Sequence, residues 1–367
     1  MLLLGIESSC DETGAAVVRG AREVLSNVTA SQHELHEEYA GVVPEIASRA
    51  HVEAIVPVVR RALADAGAGF ADLGGIAVGH RPGLVGSLLI GIAGAKALAW
   101  ALGLPLVGVD HVHAHLYAGL LERGGARGGR SDEAGGDRLF PALGLVVSGG
   151  HTSLYVMRSP IELERVGATI DDAMGEAFDK AATILGLAHP GGPNLDRLAS
   201  TPGADERAHR FPIARLSRES LDMSFSGLKT SMLYAVRGLP GRGEHGPQGY
   251  ERTHAELSEE ERRDLAASFR RAAVDAVLLK LERALGRFEE LAGGPCRGVL
   301  TGGGVTANSL LRRELGRVAA ERGLPLRLPP PDLCVDNAAM IAGLGHELLA
   351  AGRTAGLTLA PVPTTAC

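Results

Sequence analysis

The chain has 367 residues, more than a single hydrophobic core ordinarily serves, and its balance of 45% hydrophobic to 22% charged residues is that of an ordinary globular protein. Its formal charge of −6, from 37 basic and 43 acidic side chains, excludes a global positive field, so any nucleic-acid contact needs a local basic patch or a partner protein. Four cysteines, Cys10, Cys296, Cys334 and Cys367, show no CxxC spacing, which excludes a disulfide framework and favours a reducing, cytoplasmic setting.

The opening MLLLGIESSCDETG turns acidic at once and lacks the basic start of a signal peptide. Leu2 to Ser9 reads as a strand, and AAVVRG and EVLSNVTAS complete an antiparallel three-strand start. A helix follows in PEIASRAHVEAIVPVVRRALADAG, with Pro44 in its first turn and Ile46, Ala50, Ile55, Val58, Val59, Leu63 and Ala66 as its apolar face. Pro57 predicts a kink or interruption in it. Next come a strand at GGIAVG, a helix from Leu84, a strand at LPLVGVD and a helix carrying His111 and His115. The segment LVGSLLIGIAGAKALAWALG carries glycines and Lys96 and reads as a buried amphipathic helix, not a membrane span.

After a Gly- and charge-rich stretch at 123–138, expected to be a surface loop, the plan repeats. ALGLVVSGGHTSLYVMR predicts a hairpin, ELERVGATI a third strand, and DDAMGEAFDKAATILGL a helix. A second surface insertion is expected at 239–256, then a long helix capped by Ser258 with Leu265, Phe269, Val274, Val277 and Leu281 on its apolar face. RGVLTGGGVTANSLL reads as strand, glycine turn and helix, and a last strand and helix follow at LPLRLPP and NAAMIAGLGHELLAAG. Two runs of three strands followed by alternating helices and strands predict a duplicated α/β lobe with a cleft between the copies.

Chemistry concentrates at three places. His111 and His115 are four residues apart, so a helix points both imidazoles the same way, as a metal site requires. Two ligands do not close a site, and Asp336, where a proline-rich strand end meets a helical pattern, is the candidate third. Ser148, Gly149 and Gly150 at a hairpin tip, and Gly302 to Gly304 between strand and helix, let backbone N–H groups approach phosphate. Matching glycine turns in two lobes point to a nucleotide, although neither GxxxxGK[ST] nor GxGxxG occurs. Asp179, Gly192 and Asp196 could meet its ribose or purine, or serve as helix caps and solvated charges.

Taken in order, ESSCDETG, AGVVPEIASRAHVE, PGLVGSLLIG, HVHAH, VSGGHT, DDAMGEAFDK, PGGP, SFSGLKT, GGGVTAN and DNAAMIA closely resemble the universal tRNA threonylcarbamoyladenosine transferase family, the TsaD proteins, from about residue 1 to 350. The resemblance implies an α/β fold of two ribonuclease-H-like lobes of the actin-like (ASKHA) superfamily with a central nucleotide and metal cleft. On this reading residues 1–122 form the first lobe, 343–367 return to it, and 139–342, with the insertion, form the second. It implies transfer of a threonylcarbamoyl group from threonylcarbamoyl-adenylate to the exocyclic amine of the adenosine beside the anticodon, in tRNAs reading codons that begin with A, with release of AMP. It further implies metal ligands at His111, His115 and Asp336 holding iron(II) or zinc, with iron preferred. Adenylate-binding positions fall on Val146, Val147, Ser148, Gly149, Gly150, Asp179, Gly192, Asp196 and Asn308. Catalytic positions fall on Asp11, Glu12 and His151.

The implied partners are tRNA, a smaller TsaB-like paralogue docking on the helices after Glu45 and Leu84, and a TsaE-like ATPase helper, with no membrane. Arg49, His51 and Lys229 are expected on a positive rim facing RNA. One departure stands out: His80 and Arg81 precede PGL where the family has a small residue and glycine, so Arg81 either contacts phosphate or reshapes the loop. The competing readings are a zinc peptidase, against which the absence of HExxH argues, an actin-like ATPase, and a small-molecule carbamoyltransferase.

Overall fold

Alternation in the first strand dictates the architecture. β1 (Leu2–Glu7) sends Leu3 to one side and Leu4 and Ile6 to the other, all fully buried, so its sheet is covered on both faces. The structure, a computed structural model, describes residues 1–36, 39, 41–123, 137–246 and 248–364, so most of the expected loop at 123–138 lies outside the described residues. β2 (Glu12–Arg19) and β3 (Glu23–Ser31) continue antiparallel, while β4 (Leu73–Arg81) and β5 (Leu106–Asp110) add in parallel beyond β1. A short β6 (Glu122–Arg123) completes the order β5-β4-β1-β2-β3-β6.

The second sheet repeats the design. β7 (Ala142–Val147), β8 (Thr152–Ser159) and β9 (Glu162–Ala168) are antiparallel, and β10 (Val299–Gly302) and β11 (Leu326–Arg327) lie parallel beyond β7, giving β11-β10-β7-β8-β9. The same five-strand order in each sheet is the duplication anticipated from sequence.

After the short α1 (His33–His36), α2 (Pro44–Asp65) and α3 (Val85–Leu102) pack on the outer face of the first sheet against Leu4, Ile6, Val17 and Ile76. The buried stripe of α2 is Ala47, His51, Val58, Val59, Ala62 and Leu63, so at its start the buried face lies one residue from the expected Ile46 and Ala50. The helix runs unbroken through Pro57, which faces solvent, where water can satisfy the carbonyl one turn earlier. α3 is apolar on both sides rather than amphipathic: Leu88 and Ile92 are buried, while Val85, Leu89 and Trp100, the last 76% exposed, face outward. Length and apolarity alone would let α3 cross a membrane, yet it packs on β4 and α2.

In the second lobe α5 (Met174–Ile184), α6 (Gly191–Ala199), α7 (Ser226–Arg237), α8 (Glu259–Gly286), α9 (Phe288–Ala292) and α10 (Ser309–Glu321) bury Leu143, Leu145 and Val147 of β7. Ser258 caps α8 by accepting from Glu261 N, and the expected apolar residues of that helix are all buried. α7 was not apparent from periodicity. Within 239–256 the chain is mostly exposed turns, anchored by the buried Tyr250 ring under the Arg237 guanidinium.

Three helices remain: α4 (His111–Tyr117), α11 (Pro331–Cys334) and α12 (Ala338–Ala350). α4 and α12 share a core between the sheets, where Val112, Leu116, Ile341 and Leu344 meet Leu3 and Val109 of one sheet and Val146, Tyr155 and Leu300 of the other. Glycine makes this possible: a Cβ on Gly5 would come within 2.8 Å of Ala342 N and 2.9 Å of Ala342 Cβ. Gly5→Ala is therefore expected to destabilise the chain by about 1–3 kcal/mol through overpacking against backbone. Gly286→Ala, in open space at the end of α8, should be neutral or stabilising; thermal unfolding of the two variants side by side checks the contrast.

Candidate functional site

Asp110 starts α4: its Oδ1 accepts from Val112 N at 2.9 Å and His113 N at 3.2 Å. Helical spacing then turns His111 and His115 to one side, their rings 4.6 Å apart and edge to face. Across the joint, Asn337 caps α12 by accepting from Met340 N at 3.0 Å, and its Nδ2 donates to the carbonyls of Leu333 at 3.2 Å and Val335 at 2.9 Å. The loop so pinned presents Asp336, whose Oδ1 lies 3.2 Å from His115 Nε2 and 3.4 Å from His111 Nε2. One ligand atom from each of the three residues lies within 4.8 Å of the others.

Glu7, at the end of β1, orients the first imidazole. Its Oε2 is 3.0 Å from His111 Nδ1, while its Oε1 accepts from Ser9 N at 2.6 Å. A carboxylate at Nδ1 keeps the proton there and leaves Nε2 facing Asp336. His115 is buried and, apart from the 3.2 Å approach of Asp336 to Nε2, neither ring nitrogen finds a partner among the described residues, an arrangement that is costly unless something else occupies Nε2. Two imidazoles and a carboxylate, sealed on the helix side and reached by solvent at Asp336, fit one divalent metal ion.

The electrostatics agree. Burial works against charge on His111, but Asp336 and Glu7 override it and hold the imidazole well above its ordinary range. Burial also opposes charge on Asp336, yet His111 and His115 bring its carboxyl well below the usual range. For His115 burial prevails and lowers it. Glu12 is pushed up to about 9 by burial and by the neighbouring acids Asp336 and Asp11. His151 is pushed down to about 4 by burial and then by His111 and His115, which makes it a neutral imidazole at neutral pH.

The first glycine turn caps the β7–β8 hairpin. Ser148 N donates to His151 O at 2.7 Å, Ser148 Oγ accepts from His151 N at 3.1 Å, and Gly149 and Gly150 are exposed beyond Val146 and Val147. Gly303, with φ +94°, seats the second glycine turn against the Val147 carbonyl, where any side chain would overlap. Gly302 presses equally closely on the His115 carbonyl, so this turn touches both the hairpin and the histidine helix.

Asp179 accepts from Gly192 N at 2.8 Å, and burial raises its carboxyl. Asn308 caps α10 and donates to Asp196 Oδ1 at 2.9 Å. Asp196 also accepts from Arg270 Nη1 at 2.9 Å and from Ser309 N at 3.1 Å, so it knots α6, α8 and α10 together.

One of the three rim residues is placed otherwise than expected. His51 is fully buried, bonded through Nδ1 to Thr13 Oγ1 at 2.8 Å and through Nε2 to Cys10 O at 3.0 Å, because its position in α2 faces the sheet. Lys229 is paired with Asp172 at 2.9 Å, and Arg49 is exposed. Glu7, Asp110 and Asn337 were not singled out in the sequence. An acid ending an otherwise apolar strand, and an aspartate directly before HxxxH, were the available signals.

Two lobes of one strand order, joined through α4 and α12 and carrying a His/His/Asp cluster at the joint, define an actin-like protein with a candidate metal centre. Full-length HypF, solved in a phosphate- and nucleotide-bound form, shares the fold at 14% identity with a TM-score of 0.54, over 96% of this chain and 47% of HypF. A relative named tRNA N6-adenosine threonylcarbamoyltransferase in Sorangium cellulosum (strain So ce56) is 49% identical over 368 residues, covering 100% of this chain and 97% of the relative. Another so named, from Rhodopirellula baltica (strain DSM 10527 / NCIMB 13988 / SH1), is 46% identical over 342 residues, 92% of this chain and 90% of its own. The family model for tRNA N6-adenosine threonylcarbamoyltransferase, TsaD, matches residues 23–343, and the chain belongs to that family of transferases.

Ligation requires His111 neutral at Nε2, and a cation beside Asp336 lowers Glu12, so zinc binding at pH 7 is expected to release protons. Calorimetry in buffers of different ionisation enthalpy measures the number, which should fall in Glu12→Gln. Glu7→Gln should weaken zinc binding about 10–100-fold.

Proposed function

We propose that this chain transfers the threonylcarbamoyl group of threonylcarbamoyl-adenylate to the exocyclic amine of the adenosine beside the anticodon, in tRNAs reading codons that begin with A. The convergence of His111, His115 and Asp336 beside the two glycine turns carries this reading, since a donor ending in AMP needs a phosphate cradle next to its reacting carbon. A metal held by these three residues, iron(II) in preference to zinc, supplies Lewis acidity for charge developing on the carbonyl and the phosphate. In the reaction the amine nitrogen bonds to the carbamoyl carbon, the bond from that carbon to the phosphate oxygen breaks, and AMP departs with the electron pair.

Val146, Val147, Ser148, Gly149 and Gly150 hold the AMP phosphate and its surroundings, with the exposed backbone N–H groups of Gly149 and Gly150 as donors. Asp179 and Gly192 meet the nucleoside, while Asp196 and Asn308, already bonded to each other, shape the wall beside it. Fixing the AMP half places the carbamoyl carbon for attack. Asp11, or Glu12 once a bound cation has brought its carboxyl back down, accepts the proton lost by the amine, and His151, neutral at pH 7, orients the carbonyl.

Val52 and Val56 of α2, with Val85, Leu89 and Trp100 of α3, form the exposed apolar face on which a smaller TsaB-like paralogue docks. A TsaE-like ATPase completes the assembly, and tRNA as substrate places the chain in the cytoplasm. Val56→Glu is expected to weaken binding of the paralogue by about tenfold or more in a pull-down or titration, with folding unchanged.

His111→Ala and Asp336→Ala should each abolish metal retention and tRNA modification while preserving the circular-dichroism spectrum. Nucleoside analysis of tRNA incubated with chain, donor and partners decides the matter. Unmodified adenosine alongside peptide cleavage, ATP turnover or carbamoylation of a small molecule would select a competing activity, and full modification by the metal-free variants would defeat the assigned ligands.

A further inference from the structure

His80 and Arg81 open onto a second cavity of about 370 Å³. It lies on the side of α4 that carries His113, and neither His111 nor His115 lines it. Its walls come from both lobes: the ends of β4 and β5, the turn between β8 and β9, α12 and the C-terminal tail. The tail is held across the opening by hydrogen bonds from Ala355 N to Leu106 O at 2.7 Å and from Val362 N to His80 O at 2.9 Å.

Charge in this cavity is unbalanced. Two guanidiniums, Arg81 and Arg353, share its wall with one carboxylate, Asp110. Asp110 Oδ1 caps α4, and its Oδ2 stands 3.2 Å from Arg81 Nε. Arg353 Nη1 donates to Ile161 O at 3.3 Å. His80 and His113 add imidazole nitrogens, and Ile161, Leu163, Leu344 and Leu348 supply an apolar wall.

We propose that this cavity is a binding site for a small phosphate monoester. Phosphate oxygens accept from Arg81 and Arg353 and balance the excess of two guanidiniums over one carboxylate in the wall. A volume of about 370 Å³ exceeds inorganic phosphate, so the apolar wall takes the ester's organic part. The occupant touches Arg81 on the first lobe and the Ile161 turn on the second. It therefore braces the two lobes, and it reaches the histidine helix through the Asp110 cap.

Phenyl phosphate titrated into the full chain and into its Arg353→Gln and Arg353→Lys variants tests this without any transfer reaction. Binding is expected, weakened about tenfold or more in Arg353→Gln and kept within about threefold in Arg353→Lys. Hydrogen exchange across residues 158–164 should slow with ligand in the wild type and not in Arg353→Gln. Absence of binding at millimolar phenyl phosphate, equal affinity in Arg353→Gln, or benzoate binding as tightly as phenyl phosphate would overturn the proposal. Because the readout is binding, each of these outcomes leaves the assignment of transfer activity where it stood.

Discussion

Everything in this molecule depends on how closely two helices approach the two sheets between which they lie. α12 rests on β1 with only Gly5 between backbones, and β10 meets α4 through Gly302. A methyl group at either place would push helix from sheet, and the displaced helix either carries a candidate ligand, as α4 does, or directly follows one, as α12 follows Asp336. Interiors pack as densely as organic crystals, so such a shift would not be absorbed locally. The position of Asp336 relative to His111 and His115 is thus set by glycine contacts remote in sequence from all three.

Electrostatics supplies the second constraint. Glu7, Glu12 and Asp336 are gathered around two buried imidazoles, an arrangement in which protonation must compensate unless a cation does. Glu7 also orients His111, so one buried carboxylate at a strand end links the first sheet to the cluster. Asp110 performs the corresponding task for the helix itself, and through Arg81 it ties the cluster to the second cavity. Both of these supports come from the first sheet, while Gly302 of the second presses on the His115 carbonyl.

The outer surface follows a different logic. α3 buries Leu88 and Ile92 under the sheet yet leaves Trp100 and Leu89 facing out, and α2 continues that face with Val52 and Val56. A helix apolar on both sides in a sheet-packed position has one face left to offer a second packing partner. Composition alone could not separate that case from a fully buried helix, because both require apolar residues all round.

Much was determined by the chain's own order of residues. Period-two alternation marked the strands, their repeated succession marked the duplicated lobe, the HxxxH spacing put two imidazoles on one helix face, and the ordered motifs identified the family. These are local properties, fixed by backbone geometry over a few residues. Tertiary structure alone decided that Asp336 closes on the histidines across 220 residues, that Glu7 holds His111, and that Asp196 is a knot among three helices. It also decided that His51 belongs to the interior rather than to a rim, since a helix's rotation about its axis is set by the sheet it packs against and not by its own periodicity. Contacts of that kind depend on which distant segments share a volume, and no window along the chain contains both members.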